Sequence, residues 1–552
     1  MDQKIENLLN ISLEATERER EKSPDLEVGY DNRNDTWQII VKHSGDLAYL
    51  IEKFPQTTIE MLLGGYAIIT TPEEFVEQIA AENVIDYVEK PKYLYFGLEY
   101  AKVASCIYAN SVQQGELTGR GILTSIIDSG IDVLNPQFQK PDGTSRIVAI
   151  WDQEAGREYN QEEINEAIKR QDRIAYDRGQ HGSNVAAIAC GNDGVAYESD
   201  ILVVKLAVGR TNSFPRTVEV MKALDYAVRK SMELNMPTAI NLSIGNNYGS
   251  HDGTSLIENY IDALSDIWKN VICIGTGNEA ARGTHTSGIL MDDEEKTIEF
   301  SVGDFETSLN LQIWKEYADE FDVELIHPSG QIIGPLRSLN QVDRYPMGST
   351  EILTFYGEPR PYSSAQEIYL DFIPADTYID NGIWGIRLVP QRIVNGRYNI
   401  WMPSAAVLND NTRFFDNSPI QTQTIPSTAR RAIAVGAYDS GRNAYGDFSG
   451  RGYLCNNNIV KPDLVAPGVN IVLEQGTIRE RMVTGTSFAT PFVTGAAACL
   501  MQWGIVDGND AYLYGEKVKA YLIRGARQLP GVYETPNEVT GWGALCLSAS
   551  LP

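Results

Sequence analysis

Thr484-Gly485-Thr486-Ser487-Phe488-Ala489-Thr490-Pro491 runs without a break into the uncharged stretch 492–501, and the rest of the chain is best read outward from it. The pattern predicts a buried helix over 487–503 with Ser487 at its N-terminus. A serine there is ordinarily just an N-cap. Its surroundings add to that: Gly485 permits a close neighbour, Pro491 is tolerated near a helix start, and Gly495 lets the helix press against another element. The unpaired N–H groups and the helix dipole at that end would stabilise an oxyanion formed beside the serine.

Upstream, residues 121–278 alternate apolar strands, at 121–127, 200–207, 239–243 and 271–276, with helical stretches at 181–189, 217–232 and 253–266. This predicts an α/β fold, a parallel sheet with helices on both faces, whose functional loops lie at the carboxyl ends of the strands. Ile126-Ile127-Asp128-Ser129-Gly130-Ile131-Asp132 delivers an acid at such an end. Gln180-His181-Gly182-Ser183-Asn184-Val185 opens a helix of small side chains with one of only 5 histidines. Asn241-Leu242-Ser243-Ile244-Gly245 ends one strand, and Ile274-Gly275-Thr276-Gly277-Asn278-Glu279 ends another in a Gly-Asn turn. Taken singly, Asp128 reads as a cap or turn acid, His181 as a structural helix-start histidine and Asn278 as a turn residue.

Together, in the order Asp, His, Ser, these segments resemble the subtilase family of serine peptidases. Asp-Ser-Gly-Ile at 128–131, His-Gly-Ser at 181–183 and Gly-Thr-Ser-Phe-Ala-Thr-Pro at 485–491 match its three motifs. The order separates the family from other serine hydrolases. The resemblance implies a subtilisin-like fold and catalysis by Asp128, His181 and Ser487, with Asn278 as the oxyanion-hole side chain. It implies substrate-binding positions at Ser243, Gly245 and Gly277, with Glu279 at the pocket wall. The implied chemistry is hydrolysis through an acyl-enzyme, His181 taking the Ser487 proton while Asp128 holds the imidazole. Lys461-Pro462-Asp463-Leu464-Val465-Ala466-Pro467-Gly468 matches a further, structural segment of the family, and the likeness covers about 37–290 and 425–525.

Residues 1–35 form a polar N-terminal extension with a short helix expected through Leu8, Leu9 and Ile11. Residues 36–105 read as a separate β-α-β-α-β unit: strands at 37–41, 58–70 (broken at Gly64-Gly65) and 84–88, helices at 47–54 and 72–81. By resemblance this small α+β open sandwich is a propeptide that assists folding and inhibits the cleft, with self-cleavage expected between about Tyr93 and Gln114. The catalytic domain then comprises 106–295 and 406–552. Between them, 296–405 consists of short alternating segments such as Ile298-Glu299-Phe300-Ser301-Val302 and Ile368-Tyr369-Leu370-Asp371-Phe372. These predict an inserted β-sandwich of jelly-roll type, which accounts for the long separation of Ser487 from His181.

A formal net charge of −28 opposes binding to nucleic acid or an anionic membrane, leaving a protein or peptide substrate and the chain's own propeptide as expected partners. The start Met1-Asp2-Gln3-Lys4 has no apolar run of signal-peptide length and no stretch approaches a membrane span, so a cytoplasmic protein is expected. The 6 cysteines lack metal-ligand spacing, and buried free thiols are expected. No cofactor or metal site is assigned; calcium stays open, because acids such as Asp152, Asp172 and Asp292 have no spacing that selects them. A signal-less propeptide, a long β insertion and an acidic, cysteine-poor chain resemble in particular the germination-type (Csp-like) subtilases of clostridia and their relatives, which activate a spore cortex-lytic precursor. Such a protein would be packaged in the spore. A broad-specificity intracellular or gut-bacterial subtilase shares these features. From a different class comes a catalytically silent scaffold that binds through the β insertion.

Overall fold

In the strand Thr36–His43, Trp37, Ile39 and Val41 are buried while Gln38 and Ile40 are exposed, the period of two that a half-covered strand requires. The computed structural model describes residues 4–5, 9, 12–13, 29–31, 33–62, 65–90, 102, 104–107, 117–208, 215–336, 342–359, 363–452, 460–475 and 479–552, and divides into two units, Met1–Phe96 and Gly97–Pro552. In the first unit, Thr36–His43 pairs antiparallel with Tyr30–Asp31, Tyr66–Pro72 and Ile85–Glu89, and Thr58–Leu62 completes a five-stranded sheet. The helices Ala48–Lys53 and Glu73–Ala80 add Leu50, Val76 and Ile79 to the core around Trp37. The expected strand 58–70 is two strands, Thr58–Leu62 and Tyr66–Pro72, paired antiparallel. The helix expected through Leu8, Leu9 and Ile11 falls mostly outside the described residues, with Leu9 itself buried in this core.

The second unit is built on a nine-stranded sheet in the order Ala444–Tyr445, Ile433–Asp439, Asn270–Gly275, Thr238–Leu242, Leu123–Asp128, Asp200–Lys205, Ile147–Asp152, Arg157–Asn160, with Leu464–Pro467 also on Ile433–Asp439. All neighbours are parallel except the two edge pairs made by Arg157–Asn160 and Ala444–Tyr445. Every residue of the three central strands Leu123–Asp128, Thr238–Leu242 and Asn270–Gly275 is buried, as a sheet covered on both faces demands. Ile126, Ala239 and Cys273 face the core shared with the helices His181–Cys190 and Thr486–Met501. Ile127, Ile240 and Ile274 face the opposite core, under the helices Thr217–Glu233 and Leu256–Leu264. The chain leaves Leu123–Asp128 toward one edge and later returns to build the other from Thr238–Leu242, so Asp128, Ser243 and Asn278 emerge side by side where the strand order reverses. The helical run Thr486–Val506 is apolar and long enough to cross a membrane, contrary to the sequence expectation, but 83% of its most apolar 18-residue window is buried, as the central helix of this core.

Between Asn270–Gly275 and Ile433–Asp439 the chain forms two antiparallel sheets. One has six strands, from His285–Ile289 at one edge to Val342–Met347 at the other; the second has five, from Ile332–Leu336 to Arg413–Phe414. They face each other across one core, where Phe300 of the second meets Phe372 of the first edge-on at 6.1 Å. Buried Glu279 braces this sandwich against the main sheet: it accepts the Ser404 hydroxyl at 2.7 Å, the Ala405 N–H at 3.0 Å and the Thr284 hydroxyl at 3.2 Å. With both oxygens committed, Glu279 is a brace and not the pocket-wall residue expected from sequence. Cys106 and Cys546 form a disulfide, contrary to the expectation of free thiols; 440 residues separate them, so spacing carries no trace of the pairing. Cys190, Cys273 and Cys499 are free and buried, and Cys455 lies outside the described residues.

A second joint between sandwich and sheet is aromatic, Trp401 stacking between His251 at 4.2 Å and His285 at 4.7 Å. Burial pulls both imidazoles down to about 4. In the folded chain they therefore stay neutral to about that pH, whereas in the unfolded chain they protonate near their ordinary value of about 6.5. Between those values the unfolded state binds more protons, so stability falls as pH falls through the window. We expect the urea midpoint of unfolding to drop on going from about pH 7 to about pH 5, and His285→Gln to make that drop shallower.

Candidate active site

Asp128 closes the central strand, and its Oδ1 lies 2.8 Å from Nδ1 of His181, the first residue of the His181–Cys190 helix. The carboxylate is 6% exposed and the imidazole 37%, so the pair has a buried anchor and an open working end. Asp128 Oδ1 also accepts the Ser129 N–H at 2.7 Å. The helix comes very close to the Asp128 turn: a Cβ on Gly182 would stand 2.3 Å from the Gly130 carbonyl oxygen, so only glycine fits.

A second buried carboxylate, which motif reading passes over, supports this pair. Asp177 Oδ2 accepts the Ser183 N–H at 2.8 Å and the Ser183 hydroxyl at 2.9 Å, while its Oδ1 lies 2.9 Å from Ser129 Oγ. Ser129 Oγ is also 3.1 Å from Asp128 Oδ1 and accepts the Gly182 N–H at 3.1 Å. Asp177 thus caps the first turn of the His181 helix, where unpaired N–H groups and the positive end of the dipole favour an anion. Through Ser129 it ties that turn to the Asp128 turn. The signal in the sequence is an acid just ahead of a helix start, in Tyr176-Asp177-Arg178-Gly179-Gln180.

Ser487 sits in the first turn of Thr486–Met501, where backbone N–H groups have no intrahelical acceptor. Pro491 lies inside this helix and withholds the N–H that would bond the Ser487 carbonyl. That oxygen accepts the Ser243 hydroxyl at 3.1 Å instead. The Ser243 hydroxyl accepts in turn from Asn241 Nδ2 at 2.9 Å, and Asn241 Oδ1 lies 3.0 Å from the Thr494 hydroxyl. Ser487 Oγ is 3.4 Å from the Ser243 carbonyl oxygen. Phe488, next to the serine, packs its ring 5.4 Å from the His181 ring, which brings the imidazole to the serine's end of the helix.

Asn278 stands exposed on the loop after Asn270–Gly275. Its Oδ1 accepts the Thr486 N–H at 3.1 Å and lies 3.3 Å from the Thr486 hydroxyl, which accepts the Gly277 N–H at 3.1 Å. A backbone donor thereby fixes which end of the amide is oxygen, and Nδ2 remains as a donor that makes no hydrogen bond among the described residues. Of the other positions expected to bind substrate, Ser243 is buried with its hydroxyl engaged, and Gly245 and Gly277 both lie against Thr424. Asp152 accepts the Ala155 N–H of its own turn at 2.9 Å, and Asp292 accepts the Ile393 N–H of a distant loop at 2.8 Å.

Comparison with known families matches the Csp protease B prodomain over residues 3–92 and the subtilase family over residues 119–321 and 403–543. The chain belongs to the subtilase family. The gap in that match falls within the sandwich, while positions 128, 181, 278 and 487 lie inside it. Among solved subtilases the chain is similar to the CspB protease of Clostridium perfringens, at 35% identity and a TM-score of 0.77 over 82% of this chain and 96% of that one. It is also similar to the minor extracellular protease Vpr of Bacillus subtilis (strain 168), at 24% identity over 445 residues, 77% of this chain and 50% of Vpr. The serine protease AprX of the same strain is 32% identical over 158 residues, 25% of this chain and 34% of AprX. The chain thus spans half or less of the length of these two curated relatives.

Removing the Asp177 carboxylate strands the buried Ser183 N–H and hydroxyl and takes away one of the two acceptors of the Ser129 hydroxyl. We expect Asp177→Ala to lower unfolding stability by roughly 2–4 kcal/mol in urea titrations, and Asp177→Asn, which retains an acceptor, to cost less.

Proposed function

We propose that this subtilase is a serine endopeptidase in which Asp128, His181 and Ser487 act as a catalytic triad and Asn278 as an oxyanion donor. The observation that carries the reading is the 2.8 Å contact between Asp128 Oδ1 and His181 Nδ1, made beside the Ser487 turn. Nδ1–H donated to Asp128 leaves Nε2 as the base. It takes the Ser487 proton as Oγ attacks the peptide carbonyl, and Asp128, remaining ionised, stabilises the imidazolium. The negative charge that develops on the carbonyl oxygen is met by Asn278 Nδ2 and the Ser487 N–H, donors already aimed before the reaction begins. The proton passes to the leaving amine, and a water deprotonated by His181 then releases the acyl group. A fluorophosphonate probe should label Ser487 in the wild type and not in Ser487→Ala, and Asn278→Ala should lower kcat by about 10²–10³-fold with the fold retained. A folded wild type that resists the probe would be the silent scaffold.

The finer reading concerns the N-terminal unit and the substrate. The prodomain match over 3–92 supports an N-terminal propeptide that assists folding and inhibits the enzyme, proposed as 36–105 after an extension at 1–35, and the two-part subtilase match supports a divided catalytic domain, proposed as 106–295 and 406–552 around an insertion at 296–405. The cleavage stretch 93–114 falls largely outside the described residues. The same match, with the likeness to CspB, supports the germination-type reading, that of a peptidase which activates a spore cortex-lytic zymogen; manufacture in the cytoplasm and packaging in the spore are part of this proposal. The Cys106–Cys546 disulfide belongs with oxidising surroundings, which this reading meets only after packaging or release. We expect intact mass measurement to show the N-terminal unit cut from the wild type and retained in Ser487→Ala. Incubated with a cortex-hydrolase zymogen and with casein, the wild type should process the zymogen; processing of casein alone would make it a broad-specificity subtilase.

A further inference from the structure

The two glycines expected to open the pocket for the side chain preceding the scissile bond do not enclose an empty slot. A Cβ built on Gly245 would stand 2.3 Å from Thr424 Oγ1 and 2.7 Å from Thr424 Cβ. One built on Gly277, where φ is +82°, would stand 2.5 Å from Thr424 Cγ2 and 2.6 Å from Oγ1. Side-chain directions from two separate walls, one after the strand Thr238–Leu242 and one after its neighbour Asn270–Gly275, therefore converge on a single side chain. Thr424 occupies the space that the absence of two side chains creates.

It is also held there. Thr424 N–H donates to the Thr276 carbonyl at 2.9 Å on one wall, while Ile425 and Asn246 exchange N–H···O bonds of 2.7 and 3.0 Å on the other. Thr424 is 4% exposed, and its branching at Cβ limits the rotamers open to it. A segment stitched to both walls cannot swing aside for a large substrate group without breaking backbone hydrogen bonds. Its methyl group and a hydroxyl that makes no hydrogen bond among the described residues fill the space beside the two glycines.

We infer that Thr424 is the specificity-determining residue of this site, restricting the residue before the scissile bond to small side chains such as alanine or serine and excluding large aromatic ones. The inference rests on the peptidase reading and deepens it. A buried site with no room for added carbons rejects them by steric strain, and even one surplus methylene is worth about 10–200-fold in discrimination.

The test uses the full-length protein and two peptidyl phosphonates that differ only in an alanine or a phenylalanine side chain next to the phosphorus, with the rate of Ser487 modification as the readout. The wild type should react with the alanine compound at least about 100-fold faster. Thr424→Ala should shrink that ratio by about 10-fold or more, and Thr424→Val, of the same shape, should retain it. Equal rates in the wild type, or an unchanged ratio in Thr424→Ala, overturn the inference. The wild-type ratio stands as a test even if Thr424→Ala does not fold. A small fluorophosphonate with no such side chain separates the two failures: no reaction with it overturns the peptidase reading and this inference together, whereas reaction with it alongside equal peptide rates overturns this inference alone.

Discussion

A strand buried on both faces can offer polar chemistry only at its ends, and the whole site follows from that constraint. Leu123–Asp128, Thr238–Leu242 and Asn270–Gly275 are enclosed along their full length, so their side chains serve two apolar cores and their carboxyl termini are the first places where a charge is tolerable. The helices that cover such a sheet begin where its strands finish, and they bring their N-termini to the same edge. Asp128 arrives at the end of a strand and His181 and Ser487 at the start of helices. Three distant parts of the chain meet because the layer architecture leaves no other meeting place.

Each helix start also carries unpaired N–H groups that must be dealt with, and the two helices differ in how they do so. The His181 helix is capped from inside by Asp177, a carboxylate with no access to water. The Ser487 helix is met by Asn278 on its first N–H and is left open at the next. Pro491 loosens that helix further along, and the carbonyl it frees becomes the anchor for Ser243. The same hydrogen bonds that satisfy helix ends also fix the surroundings of Asp128, His181 and Ser487, so stability and geometry are one problem here and share residues.

Much of this was legible in the sequence. Residues 181–190 and 486–501 are small and uncharged because they pack on a sheet, and the acid, imidazole and hydroxyl stand at element boundaries that periodicity exposes. The edge strand Arg157–Asn160 escaped because it is nearly all exposed and has no apolar period. The helix after it, Gln161–Arg170, carried a readable signal in its reciprocal capping pair Asn160 and Glu163. Other contributions lie beyond any local pattern. Asp177 resembles every other acid until its partners on Ser129 and Ser183 are seen. Glu279 looked like a pocket residue because it follows Asn278, yet it points to Ser404 and Ala405, which are contributed by the far side of the insertion. Thr424 gains its meaning only from two glycines far upstream, and Cys106 from a partner near the other end of the chain.

That last pairing reaches beyond static stability. Cys106 lies near the beginning of the larger unit and Cys546 a few residues from the end of the chain, beside the buried Leu547 and Leu551. A cut made anywhere upstream of Cys106 leaves a new N-terminal stretch that stays covalently joined to Cys546. Peeling from that new N-terminus, the ordinary first step by which a folded chain becomes food for proteases, then halts at a covalent clasp.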